Sequence, residues 1–424
     1  MLPSLHQRSR QASAASLLYT LTAAGTAVLL VICIIAYPDA AFRASLQGLK
    51  VWWTIIFPAL LPFLILSEML LAFGWIHGLG VLLNPLMRLL FRLPGVGGWA
   101  WAVGWTAGYP AGTEAVVKLR RQQLISRHDG DRLLSLSHAS SPVFIVAVVG
   151  VGFLQQADTG LFLAIIHWTS SLISMLVLQL IFRPASGPAS DSVSLPAAKQ
   201  STKTRYSASR VLDAMESAHR ADGRPLGQLL GEAVTAAVAT LMMIGGYIMI
   251  FSVIIQVTKL VIPHQVGTYI MNGLLEVNLG AFTIGNASFT SLVFQIALVS
   301  AVLGWSGISA HLQVHSLIKE TDLRYSRFLI SRVIHAVIAF LMTYVCWVPY
   351  RTWFHPAADT ESVWNPISAA TDPPMSISEH GTNLLLSYSN GWHQVIPLLI
   401  AVVSFILLLI IISSVIALLK RLSR

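Results

Sequence analysis

Several residues with strong chemical character fall inside runs that are otherwise apolar. Glu68 follows Pro58 and Pro62 in one run, and Glu276 and Asn278 stand in Leu275-Glu276-Val277-Asn278-Leu279-Gly280. Ser306, Ser309, His311 and Gln313 follow Gly304-Trp305. An ionisable or strongly polar group in hydrocarbon is costly unless it is paired or lines a wet cavity, so each is a candidate for a solute or proton path. A further stretch has glycines at 95, 97, 98, 104, 108 and 112, with Pro110 removing a backbone donor beside Thr113-Glu114. A lipid-facing helix broken in this way would leave backbone groups unpaired, at several kcal/mol each. Two readings stand: broken backbone that lines a polar cavity, and close helix packing through small residues. The first makes Gly104, Gly108, Pro110, Gly112 and Thr113 candidates for substrate binding, together with Gly304, Ser306, Gly307, Ser309 and Gln313. Glu68 and Glu276 become candidates for proton coupling. The alternative for Glu68 is a buried, protonated carboxyl bonded to a neighbouring helix.

Other chemistries are less well supported. Gly304-Trp305-Ser306-Gly307 matches the GxSG of rhomboid intramembrane proteases, with His335 on the next apolar run. A dyad would need Ser306 and His335 within hydrogen-bond reach, and no second signature accompanies the match. His311 and His315 have a spacing compatible with metal, but no carboxylate stands at the HExxH position, so no metal is expected. Cys33 and Cys346 lie in apolar runs and form no CxxC pair. A GxxxxGK[ST] phosphate loop is absent from the sequence, so no nucleotide-driven step and no cofactor are expected. Trp105 and Trp305 could stack on a flat ligand or anchor at the membrane interface. The expectation is a protein that is not an enzyme.

The elements that position these residues follow from composition. Charged residues are 11% of 424 and hydrophobic residues 55%, against roughly 25% charged in soluble domains. The chain reads as an all-α polytopic membrane protein, which excludes a soluble enzyme, a nucleic-acid-binding module and a disulfide-stapled domain. About eight segments are expected to cross, near 15–37, 52–73, 138–154, 159–182, 232–260, 287–303, 331–349 and 394–419. Apolar but broken or re-entrant pieces lie at 79–117, 266–286 and 304–318. The first run is too long for a signal-peptide core, and Tyr37-Pro38-Asp39 is a poor cleavage site, so it is expected to be retained. With the N-terminus cytoplasmic, nearly all Lys and Arg fall on the cytoplasmic side, from Arg8 through Arg132, Arg183–Arg224, Lys319–Arg332 and the tail. Arg43, Lys50 and Arg351 fall outside and Lys259 near a span end. This asymmetry predicts cytoplasmic N- and C-termini.

Shifting the sequence by 200 places Gly104-Trp105-Thr106-Ala107 over Gly304-Trp305-Ser306-Gly307. In both halves a long span, a broken piece, a Gly-rich element and another span follow in order, which predicts two repeats of inverted topology. The domains are then a first helix and connection (1–50), a first repeat (51–182), a cytoplasmic linker (183–228), a second repeat (229–350), an acidic outer loop (351–393) and a last crossing helix (394–424). Within the linker, 211–221 has the pattern of a short surface helix.

Residues 104–112, Ser141-Pro142-Val143-Phe144, Glu276-Val277-Asn278-Leu279-Gly280 and 304–313 together resemble the YlbJ family of sporulation integral membrane proteins. That family carries the nucleoside-recognition (Gate) domain, shared with some nucleoside transporters and ferrous-iron transport proteins. The resemblance covers about 50–350. It implies a role in endospore formation, with dipicolinic acid crossing the membrane around the forespore for cortex assembly. The expected function is secondary transport of a small anion. The partners are that anion and the lipid bilayer, with no nucleic acid; the residues assign no oligomeric state. The alternative is a structural or assembly protein of the spore envelope that transports nothing.

Overall fold

A computed structural model describes residues 5–182, 208–261 and 268–354. The expected outer loop beyond 354, the last crossing near 394–419 and most of the linker lie outside the described residues.

The described elements are all helical. α1 (Leu5–Ala36) leads to α2 (Pro38–Val51), whose Pro38 fits the first turn, where its missing N–H is not needed. α2 runs through a π-helical turn, Trp52–Ile56, into α3 (Phe57–Ala72), giving one continuous helix of 35 residues. Gly74, with φ +75°, turns the chain into α4 (Trp75–Leu89). Next come α5 (Gly97–Ala107), α6 (Ala111–Arg121), α7 (Arg127–Ser137), a π-helical segment Phe144–Phe153 and α8 (Ala157–Ile181). α9 (Ala208–Asp222) precedes α10 (Leu226–Val261). The second half continues with α11 (Thr268–Leu275), α12 (Val277–Gly285), α13 (Leu292–Trp305), α14 (Gly307–Ile318) and α15 (Tyr325–Phe354).

Among the described residues, five stretches are long and apolar enough to cross a membrane: Pro38–Ala72, Ala157–Ile181, Leu226–Leu260, Leu292–Ile318 and Tyr325–Thr352. The expected span at 138–154 is corrected. It contains a non-helical stretch at His138–Ser141 followed by a helix of only 10 residues, about half of what the hydrocarbon core requires. α7 and Phe144–Phe153 therefore form a single crossing broken in the middle. The expected span at 287–303 and the separate piece at 304–318 likewise join as one crossing, α13 and α14, broken at Ser306.

The remaining short helices pair into hairpins. Gly104 and Gly112 face each other across α5 and α6, since a Cβ on Gly112 would lie 2.7 Å from the Gly104 Cα. Gly273 and Gly280 do the same across α11 and α12, at 2.3 Å. The hairpin tips are Gly108–Pro110, with a cis Tyr109–Pro110 bond, and Glu276. Each hairpin docks by its glycine pair on the crossing that follows it. Cβ atoms at Gly104 and Gly112 would meet the Ser137 carbonyl at 1.9 and 2.0 Å, and those at Gly273 and Gly280 would meet Val302 at 2.5 and 3.1 Å. Two repeats thus recur as hairpin, broken crossing, full crossing.

The repeats are inverted. The open end of the first hairpin lies on the face where Arg120 makes a two-pronged bond to Asp322 (2.8 Å for both N···O pairs) and Arg121 pairs with Glu320. The second hairpin opens on the opposite face, where Gly285 packs against Phe153 and Leu154 and Tyr350 donates to Asp158 at 2.9 Å. The 200-residue shift does not align equivalent elements, because Gly104 is in a hairpin arm and Gly304 in a broken crossing. Both Gly-Trp pairs sit where a half-length helix ends in mid-membrane, so the same local constraint selects the same residues.

Two outcomes follow. Gly104→Val forces a side chain into the Ser137 carbonyl and is expected to cost at least about 1–3 kcal/mol, read as a lower melting temperature of the detergent-solubilised protein. The Arg120 guanidinium holds the Asp322 carboxyl below its ordinary range. Because the folded-state pKa is depressed, the stability this bridge contributes is present above the ordinary carboxylate pKa and is lost as pH falls through the folded value. For so exposed a pair it is below about 1 kcal/mol. The melting-temperature gap between wild type and Arg120→Gln should therefore be present near pH 6 and narrow below about pH 4.

Candidate functional site

All four interruptions of the fold meet at one cavity of about 200 Å³. The first hairpin tip contributes Gly108, Tyr109 and Pro110, and the first break Ser140 and Ser141. The second hairpin tip contributes Glu276, Val277 and Asn278, and the second broken crossing Ser309 and Gln313. The opposite wall is α3, with Leu60, Leu64 and Glu68, and α10, with Thr240, Met243, Ile244 and Tyr247.

Close backbone approach brings the tips to the breaks. Gly108, at φ +80°, lies against Ser141, with its Cβ position 3.1 Å from the Ser141 nitrogen. Gly307, at φ +79°, lies against Glu276 and Val277, its Cβ position 2.8 Å from the Val277 nitrogen. Both backbones occupy a region where a side chain is strained, so glycine is demanded twice over, by conformation and by space.

Of the sequence candidates, Gly108, Pro110, Ser309, Gln313, Glu68 and Glu276 line this cavity. Gly104 and Gly112 do not; they dock the first hairpin on Ser137, and Gly304 packs on Ala336 of α15. Gly307 supports the second tip from behind. Thr113 and Ser306 are fully buried beneath the cavity, where they flank His138. For these six positions, packing is what the structure shows. Glu68 is exposed at the mouth, across from Glu114, instead of being buried against a neighbouring helix.

Glu276 is the N-cap of α12. Its Oε2 accepts the Leu279 N–H at 2.6 Å and its Oε1 the Asn278 amide at 2.7 Å, so both oxygens are engaged at a positive helix end. Ser141 accepts the Phe144 N–H at 3.2 Å. By contrast, α6 and α14 begin with no side-chain cap. The cavity therefore has three carboxylates in its lining, Glu68, Glu114 and Glu276, and no Lys or Arg. Its positive field comes from helix N-termini.

Two residues at the centre of the network were not legible as such in the sequence. His138, at the first break, approaches Ser306 Oγ through Nε2 at 3.1 Å and Thr113 Oγ1 through Nδ1 at 3.5 Å, with Tyr109 stacked on its ring at 4.7 Å. One imidazole thus touches both breaks and the first hairpin. Arg332 reads in the sequence as a cytoplasmic charge beside spans nearly free of Lys and Arg. In the structure it is buried within α15 and donates to the Ser135 carbonyl at 2.5 Å and the His138 carbonyl at 2.8 Å. These carbonyls lie at the end of α7, where intrahelical partners run out and the dipole is negative. The available signal was an arginine three residues before a histidine in an otherwise apolar helix.

The Ser306–His335 dyad that a protease reading would need is not formed: His335 Nε2 engages Ser170 Oγ and the His167 carbonyl, both at 3.0 Å. His311 uses both ring nitrogens, on Tyr325 OH at 2.9 Å and the Trp305 carbonyl at 3.0 Å. Trp105 stacks on Trp168, and Trp305 donates to the Leu274 carbonyl at 2.9 Å; neither lines the cavity.

Inverted repeats of hairpin and broken helix around a polar cavity make this an integral membrane protein, and the family model described as Gate, nucleoside recognition, matches residues 53–141, from the π-helical turn after α2 to the first break. The sporulation integral membrane protein YlbJ of Bacillus subtilis (strain 168) is 34% identical over 399 residues, 89% of this chain and 92% of the relative. The chain belongs to the YlbJ family of sporulation integral membrane proteins. No solved structure matches it.

Arg332→Met keeps the length and apolar stem but leaves two buried carbonyls without their donor, at about 1–3 kcal/mol each. The variant is expected to melt at lower temperature and to accumulate less in the membrane than wild type, both measurable on a fluorescent fusion.

Proposed function

We propose that the protein is a secondary transporter of endospore formation, that its solute is a small anion, and that this anion is dipicolinate, needed for the spore cortex. The observation that carries the transport reading is the convergence of four backbone breaks from two inverted repeats on one polar cavity. Mid-membrane sites of this construction suit alternating exposure, because broken backbone is tolerated where it lines a cavity. The anion is favoured by the two helix N-termini, α6 and α14, that lack side-chain caps. Dipicolinate itself rests on the family resemblance.

The carboxylates set a condition on that solute. A dianion beside ionised Glu68, Glu114 and Glu276 is repelled, so transport requires protons to enter with it, and Glu276 and Glu68 are the carriers we favour. The sequence holds no phosphate loop, so we take transport to be gradient-driven or facilitated. Positive charge at the α6–α7 and α14–α15 turns supports cytoplasmic termini, and the resemblance supports the membrane around the forespore. A hydrolase reading would use Ser306 with His138, but Ser306 is 1% exposed, its hydroxyl also donates to the Trp305 carbonyl at 2.5 Å, and it does not line the cavity. We therefore take the protein to be no enzyme.

Uptake of radiolabelled dipicolinate into proteoliposomes tests this, with nucleosides and other dicarboxylates as competitors. Wild type should accumulate label, faster with an inward proton gradient. Gly108→Leu should abolish uptake in membrane-inserted protein. Glu276→Gln should transport with a flattened pH profile. Glu276→Ala loses the cap as well, at about 1 kcal/mol. Failure of wild type to accumulate dipicolinate would reject the solute; normal uptake by Gly108→Leu would move the path elsewhere.

A further inference from the structure

A second cavity, of about 560 Å³, lies between α4, the hairpin α5–α6 and α9, away from the four breaks. Its polar lining is His77 and Asn84 from α4, Trp99 from α5, Lys118 from α6, Gln122 just past the end of α6, and Ser217 from α9. Three atoms of this set, His77 Nδ1, Asn84 Oδ1 and Trp99 Nε1, are buried without a hydrogen-bond partner. Such atoms are rare in folded proteins and call for an explanation, since each costs about 1–3 kcal/mol. Lys118 has no carboxylate within ion-pair distance among the described residues; its ammonium stands 5.7 Å from the centre of the Trp99 ring. The lining contains no Asp or Glu, the reverse of the central cavity.

Location narrows the ligand. α4 is too short to cross a bilayer. It buries one face on the protein while exposing Trp75 and Leu89, and Arg88 stands in its last turn. α9 lies on it, with Met215 pressed against Gly74 and Gly78, and exposes Leu212. Helices with apolar side chains exposed beside basic ones lie along the membrane surface, at headgroup depth. The cavity is therefore reachable from the headgroup layer.

We propose that this cavity binds a glycerol phosphate group, with the headgroup of an anionic phospholipid as its source. Lys118 and the Trp99 N–H meet the phosphate oxygens, and Asn84 Oδ1 and His77 accept from the glycerol hydroxyls. Burial first, and Lys118 second, hold the His77 imidazole below its ordinary titration range, so it is neutral and free to accept. The bound group bridges α9 to both arms of the first hairpin, and through them reaches Gly108 at the central cavity.

The test uses the full-length protein in detergent, with dissociation constants measured by native mass spectrometry. The probes are a short-chain phosphatidylglycerol, the matching phosphatidylcholine, and free glycerol 3-phosphate. Phosphatidylglycerol should bind, phosphatidylcholine at least about tenfold more weakly. Lys118→Gln should weaken phosphatidylglycerol binding about tenfold, the usual size for a lost charge-assisted bond. Trp99→Phe, which keeps the ring and removes the donor, should weaken it several-fold, and Lys118→Arg should retain it. Arg88→Gln, outside the cavity, should bind as wild type. Glycerol 3-phosphate binding as tightly as the lipid, with the same Lys118 dependence, would support the site and assign it a soluble source. Equal affinity for the two lipids, wild-type binding by both Lys118→Gln and Trp99→Phe, or an equal loss in Arg88→Gln would overturn the proposal.

Discussion

A helix that stops inside a membrane exposes backbone groups that lipid cannot satisfy, and among the described residues four interruptions gather around one cavity. Several of the openings are met by different devices, while the starts of α6 and α14 carry no side-chain cap. At the end of α7, Arg332 reaches across from the second repeat to the Ser135 and His138 carbonyls. At the start of α12 the Glu276 carboxylate takes the Leu279 N–H, and Ser141 takes the Phe144 N–H. At Gly108 and Gly307 the chain turns left-handed, and the absent side chains let tip and break touch. The cost of an unsatisfied amide in hydrocarbon makes these devices obligatory, and they create the polar centre of the molecule.

The two repeats share a backbone plan but not a charge plan. Inversion reverses the direction of each half-helix relative to the bilayer, yet all four breaks present ends of both signs to the same space. The first break holds His138 and receives Arg332, while the second tip carries Glu276. Arg332 and the His138–Ser306 contact both run between repeats, so the halves are locked by polar bonds as well as by packing. An arginine buried this way is tolerated because its donors reach carbonyls that would otherwise be orphaned.

Membrane class and the long crossings were legible in the sequence because hydropathy over bilayer length leaves few alternatives. The place of Gly108 and Pro110 at a backbone break was legible because a left-handed turn and a missing donor are written in residue type. The repeat was legible as order but misaligned in register, since Gly-Trp marks any helix ending in mid-membrane, whichever element it belongs to. Gly104, Gly112 and Gly304 could not be separated from Gly108 by type alone; what separates them is whether the neighbour is Ser137, Ala336 or open cavity. Arg332 was misread for a related reason. Charge near a span end scores as orientation until a partner 194 residues away, the His138 carbonyl, is placed beside it.

The same distribution of bonds indicates where motion is cheapest if solute crosses as proposed. Hairpins and broken crossings are tied to one another by glycine contacts, and α7 is tied to α15 by Arg332, so these elements form one body. α2, α3 and α10 form another, joined by the Trp52 N–H donating to the Leu241 carbonyl at 2.9 Å and by Gly48 against Ser252. The cavity lies at the seam, where the second body presents mainly aliphatic and aromatic side chains, Leu60, Leu64, Met243, Ile244 and Tyr247 among them. Apolar contacts can slide with little loss, whereas each break in the first body would expose carbonyls or amides on separation. Displacement along this seam carries the hairpin tips and breaks as a unit, moves Glu68 with the second body, and leaves every device at the four helix ends intact.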